Sequence, residues 1–140
     1  MELSRLLDMS KTDLSDFARR GGKIIMLHGM ADQIIPVQAT EQYFDAVVKT
    51  MGREAVAQFF KFYELPGTAH GGNGTAFTPT WDVLGALDAW ITQGTPPASP
   101  IVTDIYAKPG RTRPLCEYPS WPKYNGTGDL ATASSFTCAQ

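Results

Sequence analysis

The sequence lacks a long apolar run, an excess of charge of either sign and an apolar leader segment. Its longest aliphatic run, from Ile24 to Leu27, is far too short to span a bilayer, so we expect no membrane anchor. The chain has 12 basic and 14 acidic residues and a net charge of −2, which argues against nucleic acid or an anionic membrane surface as the main partner. Charged side chains recur throughout residues 1–20, a pattern that no signal-peptide core has.

Cysteine is also scarce, because Cys116 and Cys138 are the two in the chain. Two cysteines are too few for a disulfide-built miniprotein or for a zinc site of four thiolates. The residues alone leave two possibilities open, a pair of free thiols and a bridge that closes a loop near the C-terminus. Such a bridge would stabilise the fold by about 3 kcal/mol.

The composition is that of a globular protein of limited size. The chain has 140 residues, of which 43% are hydrophobic, so it holds one domain at most. Strand-like and helix-like segments alternate, which predicts an α/β fold with a mostly parallel sheet and flanking helices. Two or three strands make a poor sheet on their own. We therefore interpret residues 1–140 as one partial domain, with an α/β part at 13–107 and an irregular tail at 108–140.

Periodicity places the elements of the first half. The segment from Lys23 to His28 reads as a short buried strand, because four aliphatic residues follow one another in it. Residues 38–51 have apolar side chains at helical spacing and predict an amphipathic helix. Residues 56–65 are rich in aromatic side chains and predict a second strand.

Cap and stop residues place the next helix. Thr78 and Pro79 have the residue types of a helix cap and a first helical position, and Gly94 has that of a stop. An apolar stripe on this helix is predicted to face the core: Val83, Leu84, Leu87 and Ile91. A last strand is expected at 101–107.

Two residues with catalytic chemistry follow the two predicted strands. Asp32 comes four residues after His28 at the end of the first strand, and His70 lies in a glycine-rich loop after the second. Ligands gather at the carboxyl ends of strands in open α/β sheets. An aspartate that orients an imidazole, and an imidazole that takes a hydroxyl proton, form the acid and base of a nucleophilic triad. Aspartate before histidine is also the chain order of α/β hydrolases.

Simpler roles compete with this interpretation. Asp32 alone could be a turn former, and His70 alone could be an exposed or hydrogen-bonded loop residue. His28 could be a catalyst, although its place at a strand end favours a structural hydrogen bond. A metal site of His28, Asp32 and His70 is chemically possible, but the short ligand spacing that zinc sites usually show is absent.

These residues stand in segments that resemble the C-terminal catalytic part of the tannase and feruloyl esterase family. The resemblance extends over about residues 13–138, nearly the whole chain. The matching segments include the following: Gly21-Gly22-Lys23 with the strand after it and His28-Gly29-Met30-Ala31-Asp32, the loop Pro66-Gly67-Thr68-Ala69-His70-Gly71-Gly72, the stretch Trp90-Ile91-Thr92-Gln93-Gly94, and the tail from Gly110 to Cys116 and from Gly126 to Cys138.

The resemblance implies an α/β-hydrolase fold with serine esterase chemistry on aromatic esters, such as galloyl or feruloyl esters. Asp32 would match the triad acid and His70 the triad base. Cys116 and Cys138 would match a disulfide of the tail, which favours an extracellular or periplasmic location. This chemistry implies no cofactor.

The chain departs from the family pattern at two points. None of its serines lies in a Gly-x-Ser-x-Gly elbow, so the nucleophile is expected on a separate N-terminal segment or a partner chain. The family usually has a cysteine directly after the triad histidine, where this chain has Gly71. Three hypotheses follow: half of an esterase site with Asp32 and His70 in hydrogen-bond distance, a binding module that holds an aromatic ligand, and an inactive remnant that forms homo-oligomers.

Overall fold

A computed structural model describes residues 10–72, 76–106 and 110–140 of the chain. The elements run in the order α1 (Ser15–Arg19), β1 (Ile24–Gly29), α2 (Val37–Met51), α3 (Arg53–Ala57), β2 (Phe60–Leu65), β3 (Pro79–Thr80), α4 (Val83–Gln93), β4 (Ile101–Asp104), β5 (Arg111–Pro114), β6 (Trp121–Tyr124) and β7 (Phe136–Ala139). Single 3₁₀ turns lie at His70–Gly72 and Ala133–Ser135.

The strands form three small sheets. Strands β1 and β2 are parallel, with Ile24 opposite Phe60 and Gly29 opposite Leu65. Strands β3, β4 and β5 form an antiparallel sheet, and β6 and β7 form an antiparallel pair. The prediction of a mostly parallel sheet is therefore wrong: the described sheets are mixed. A parallel pair needs a long crossover, which α2 and α3 supply between β1 and β2, whereas the closely spaced strands after residue 78 run antiparallel.

The apolar core lies on both faces of β2, because successive side chains of a strand point to opposite faces. Phe60 and Phe62 pack against the helices α2 and α3, in a cluster completed by Phe44, Val47, Val56 and Phe59. Tyr63 points to the other face and packs with Phe77, Val102 and Leu115.

The second strand is shorter than the sequence predicted. Val56 lies in α3 and is buried in the first cluster, and β2 begins only at Phe60. Gly52, with φ of +85°, lets the chain turn between α2 and α3. The aromatic run therefore divides between a helical turn and a strand, both of which bury it.

The next helix begins later than its predicted cap. Pro79 and Thr80 pair with Asp104 and Thr103 as strand β3, and Asp82 is the cap, its side chain accepting a hydrogen bond from the Gly85 amide at 2.9 Å. The helix ends at Gly94 as predicted, with φ of +68°.

The predicted apolar stripe of α4 is only partly correct. Val83 and Leu87 are half-buried, whereas Leu84 and Ile91 are 76% and 56% exposed. Part of this apolar stripe is therefore not covered by the described residues.

The tail is more regular than predicted, since it contains β5, β6 and β7. The expected bridge between Cys116 and Cys138 is present, with the two Cα atoms 5.5 Å apart. The last part of the predicted strand at 101–107, Ala107, lies outside the described residues.

The tail also covers one edge of the parallel pair. The Tyr118 amide donates to the Phe62 carbonyl at 2.9 Å, and Glu117 forms an ion pair with Lys61 at 2.9 Å. In the described residues no strand pairs with the opposite edge of β1. No helix in these ranges is long and apolar enough to cross a bilayer.

Candidate active site

The loops that carry Asp32 and His70 leave the same end of the parallel pair. The ladder between β1 and β2 continues into them, because the Met30 amide donates to the Leu65 carbonyl at 3.1 Å. The Ala31 amide then donates to the Thr68 carbonyl at 3.0 Å. These two hydrogen bonds hold the loops side by side.

Gly29 permits this close approach. A Cβ atom at this position would lie 2.3 Å from the Thr68 carbonyl oxygen, far inside van der Waals contact. Only glycine therefore fits where the first loop passes the second.

The Asp32 carboxylate accepts three hydrogen bonds. Oδ1 accepts from the amides of Ile34 at 2.8 Å and Ile35 at 2.9 Å, as in an Asx turn. Oδ2 lies 2.8 Å from His70 Nδ1. The Ile35 amide, joined by the His70 and Ile34 bonds and opposed by desolvation, holds the pKa of Asp32 at about 2. Asp32 is therefore an anion at neutral pH, with its side chain only 8% exposed.

His70 is fixed on one side and open on the other. Because Nδ1 donates to a carboxylate, it carries a proton, and the neutral ring then has its lone pair on Nε2. Nε2 has no hydrogen-bond partner among the described residues, and the side chain is 46% exposed. The arrangement can take a proton from a hydroxyl group that approaches Nε2.

His28 lies beside this pair but faces the protein. Its Nε2 is 3.0 Å from the Ile35 carbonyl oxygen, and its Nδ1 is 2.7 Å from Thr40 Oγ1 at the start of α2. Its Nε2 is also 3.6 Å from Asp32 Oδ2. The structural hydrogen bond expected for His28 is present. Thr40 and Ile35 were missed, since no sequence pattern marks them.

Two pockets flank the turn that leads to His70. The first has a volume of about 460 Å³ and is lined by residues of the site, among them Leu27, His28, Asp32, Thr68 and His70. The second, of about 410 Å³, is mostly apolar and is lined among others by Met30, Phe77, Val102, Arg113 and Trp121. Leu65 and Thr68 line both pockets, so an apolar space adjoins the side chains of Asp32 and His70.

Among the described residues, no serine hydrogen-bonds to His70, and Nε2 therefore has no serine partner there. Nor do three histidine, cysteine, aspartate or glutamate side chains converge to hold a metal ion within these ranges. The site is thus an aspartate–histidine pair at the strand ends of an α/β unit.

The comparisons with known proteins define the family. The profile of the tannase and feruloyl esterase family matches residues 1–139. The chain is 48% identical to an uncharacterised esterase of Agrobacterium fabrum, over 99% of the chain and 25% of that protein. It is 35% identical to the mono(2-hydroxyethyl) terephthalate hydrolase of Piscinibacter sakaiensis, over 93% of the chain and 22% of that protein. The chain belongs to the tannase and feruloyl esterase family.

Solved structures agree with this assignment. The crystal structure of feruloyl esterase B from Aspergillus oryzae superposes with a TM-score of 0.81 at 27% identity, over 92% of this chain and 29% of that one. The α/β fold described above is thus a part of the fold of that enzyme. The chain spans about a quarter of the length of the curated relatives it matches.

Proposed function

We propose that this chain supplies the acid and the base of a serine carboxylic ester hydrolase, with Asp32 and His70 in these roles. The observation that carries the proposal is the 2.8 Å contact between His70 Nδ1 and Asp32 Oδ2, which leaves Nε2 open. Membership of the tannase and feruloyl esterase family supports ester hydrolysis as the reaction.

The mechanism follows from the two ring nitrogens. Nε2 of His70 takes the proton of a serine hydroxyl as its oxygen attacks the ester carbonyl, while Asp32 holds the Nδ1–H and stabilises the imidazolium. His70 then returns the proton to the leaving alcohol, and an acyl-enzyme remains. Water, deprotonated by the same Nε2, hydrolyses this intermediate and releases the acid.

The serine and the oxyanion donors would come from a segment outside this chain or from a partner chain. The length of the relatives leaves room for it, since three-quarters of the Agrobacterium protein lies outside the matched part. The unpaired edge of β1 is a suitable place for another strand, because it leaves amides and carbonyls without ladder partners.

Aromatic carboxylic esters are the proposed substrates. A feruloyl esterase and a terephthalate ester hydrolase are among the similar proteins, and both names describe esters of aromatic acids. The apolar pocket beside Thr68 offers a surface for the aromatic ring of such an ester. The Cys116–Cys138 bridge supports an extracellular or periplasmic location.

The decisive experiment is a chimera in which this chain replaces the matching quarter of the Agrobacterium relative. We expect hydrolysis of methyl ferulate or a related phenolic ester by the folded chimera, and a loss of about 10³-fold or more in kcat with His70→Ala. The 140-residue chain alone should be a poor esterase. The control variant is Lys123→Ala on the exposed strand β6, which should leave activity unchanged.

Two results would contradict the proposal. One is a folded, active chimera whose turnover survives both His70→Ala and Asp32→Asn. The other is saturable ester hydrolysis by the chain alone that disappears in His70→Ala, because the nucleophile would then lie within these residues. Tight binding of a phenolic acid without turnover in the chimera would instead favour a binding module of the same fold.

A further inference from the structure

The third polar side chain at the site, His28, makes contacts that the proposed reaction does not use. Its side chain is 12% exposed, and both of its ring nitrogens have protein partners. A carbonyl oxygen can only accept, so the contact with Ile35 puts a proton on Nε2. Nδ1 of the neutral ring then accepts from the Thr40 hydroxyl. His28 is therefore not free to exchange a proton with a substrate.

Ile35 connects His28 to Asp32 through its two neighbouring peptide groups. Its carbonyl accepts from His28 Nε2 at 3.0 Å, and its amide donates to Asp32 Oδ1 at 2.9 Å. The residue is 47% exposed and lies in the connection to α2. The amide of Ile35 is also the largest single cause of the low pKa of Asp32.

We infer that His28 is a positioning residue, which holds the Ile35 carbonyl and thereby restrains the Ile35 backbone, whose amide holds the Asp32 carboxylate against His70, and that Thr40 holds the His28 ring by donating to its Nδ1. The residue acts through two others and touches no reacting atom. Its Nε2–H, 3.6 Å from Asp32 Oδ2, adds a favourable dipole next to the carboxylate. The catalytic consequence of this inference depends on the proposed function, whereas its geometric part does not.

The first test titrates Asp32 in the 140-residue chain by carbon-13 NMR of its carboxyl group. The wild-type pKa is expected at about 2. In His28→Leu the Ile35 carbonyl loses its hydrogen bond and the Ile35 backbone is less restrained, so the pKa should rise toward the ordinary 3.8. His28→Gln keeps an amide N–H close to the position of Nε2 and should restore most of the lowering.

A second pair of variants addresses Thr40 without removing the histidine. Thr40→Val deletes the hydroxyl that donates to Nδ1 and so loosens the His28 ring, and the pKa of Asp32 should rise; Thr40→Ser should behave as wild type. Thr92→Val is the matched control, because within the described part of the chain the Thr92 hydroxyl bonds only to the carbonyl of Asp88 in its own helix. This pair decides the matter if His28→Leu does not fold.

The second readout is kinetic, in the chimera with the Agrobacterium relative. His28→Leu should lower kcat by about 10- to 100-fold with KM nearly unchanged, since a misplaced Asp32 affects proton transfer rather than binding. His28→Gln should recover most of this loss. A purely structural role would instead lower stability in both variants without a selective effect on kcat.

The two proposals fail separately. If His70→Ala leaves the chimera active, the proposed function is wrong, whatever the titration shows. If His70→Ala abolishes activity while folded His28→Leu and Thr40→Val leave both the Asp32 pKa and kcat unchanged, the positioning role of His28 is wrong and the proposed function stands.

Discussion

The contact between Asp32 and His70 depends on the small size of one residue, Gly29. No side chain can be accommodated here, since the Thr68 carbonyl occupies the space of a Cβ atom. The amide of Ala31 bonds to that same carbonyl. Any widening at Gly29 therefore separates the loop of the acid from the loop of the base.

Gly29→Ala is expected to destabilise the chain by about 1–3 kcal/mol, because a methyl group must displace backbone atoms. It should also remove the low-field proton resonance of His70 Nδ1–H, as the bond to Asp32 lengthens. Urea unfolding and proton NMR measure the two effects. Gly126→Ala is the control: its φ of +82° imposes backbone strain but nothing lies near its Cβ, so about 1 kcal/mol should be lost with the resonance intact. An unchanged resonance in Gly29→Ala would contradict this account.

The residues of the pair could be predicted from the sequence because their chemistry and their place after strands coincide. Asp32 and His70 follow predicted strands of an α/β pattern, and parallel strands bring their carboxyl ends together. The hydrogen bonds of Ile34 and Ile35 to Asp32 could not be predicted, since they come from backbone amides that any residue possesses. The role of Thr40 could not be predicted for a similar reason, because threonine near a helix start has many ordinary roles.

At the scale of elements, α2 and β2 meet through a pair of carboxyl groups. Glu64 of β2 lies against Glu41 of α2, and its Oε1 is buried without a hydrogen-bond partner in the described residues. Burial, together with the bond to Glu41, raises the pKa of Glu64 to about 7. Asp45 and Tyr118 lie in the same region and bond to each other at 3.3 Å. The pair is next to His28, which faces Glu64 across the ladder.

Glu64→Gln should stabilise the chain above pH 7. The folded-state pKa of Glu64 exceeds the ordinary 4.5, so the folded chain binds more protons between pH 4.5 and 7, and its stability falls as pH rises through that window. The glutamine removes this loss and donates to Glu41. We expect a gain of about 1 kcal/mol at pH 8, reduced by solvent screening of the partly open pair, and none at pH 4.

Thermal and urea unfolding across pH 4 to 8 measure this effect. Glu54→Gln on the exposed side of α3 serves as control, because it removes a glutamate with the same charge from a solvated position. A Glu64→Gln variant whose gain is the same at pH 4 and pH 8 would show that the carboxyl pair does not titrate as described.

Element boundaries were predictable where local chemistry decides them and not where pairing does. Val37–Met51 and the stop at Gly94 follow from periodicity and left-handed backbone. Pro79 was misassigned because its strand partner, Asp104 of β4, is distant in the sequence and a proline suits both roles. The tail strands β5 to β7 have four residues each, so their sequence has too little alternation to indicate them.

At the scale of the whole molecule, the described residues leave apolar and hydrogen-bonding surface open. The amides of Ile24 and Met30 point to β2, and alternation along the strand directs those of Ile25 and Leu27 to the unpaired edge. Leu27 is 37% exposed, and Leu84 and Ile91 of α4 are more so. In a protein four times as long, a further strand would cover the edge. In the chain alone, a second copy can take its place.

The chain alone is therefore expected to self-associate through the edge of β1 at micromolar concentration. Light scattering after size exclusion should give a mass above the 15.3 kDa of one chain. Leu27→Lys puts a charge on the edge and should return the mass toward that of a monomer. Leu84→Lys is the matched control, since it also replaces an exposed leucine by lysine but lies on a helix. If Leu84→Lys dissociates the assembly and Leu27→Lys does not, the helix face rather than the strand edge joins the copies. A monomer at all concentrations would show that an open parallel pair is tolerated, because the tail already covers β2.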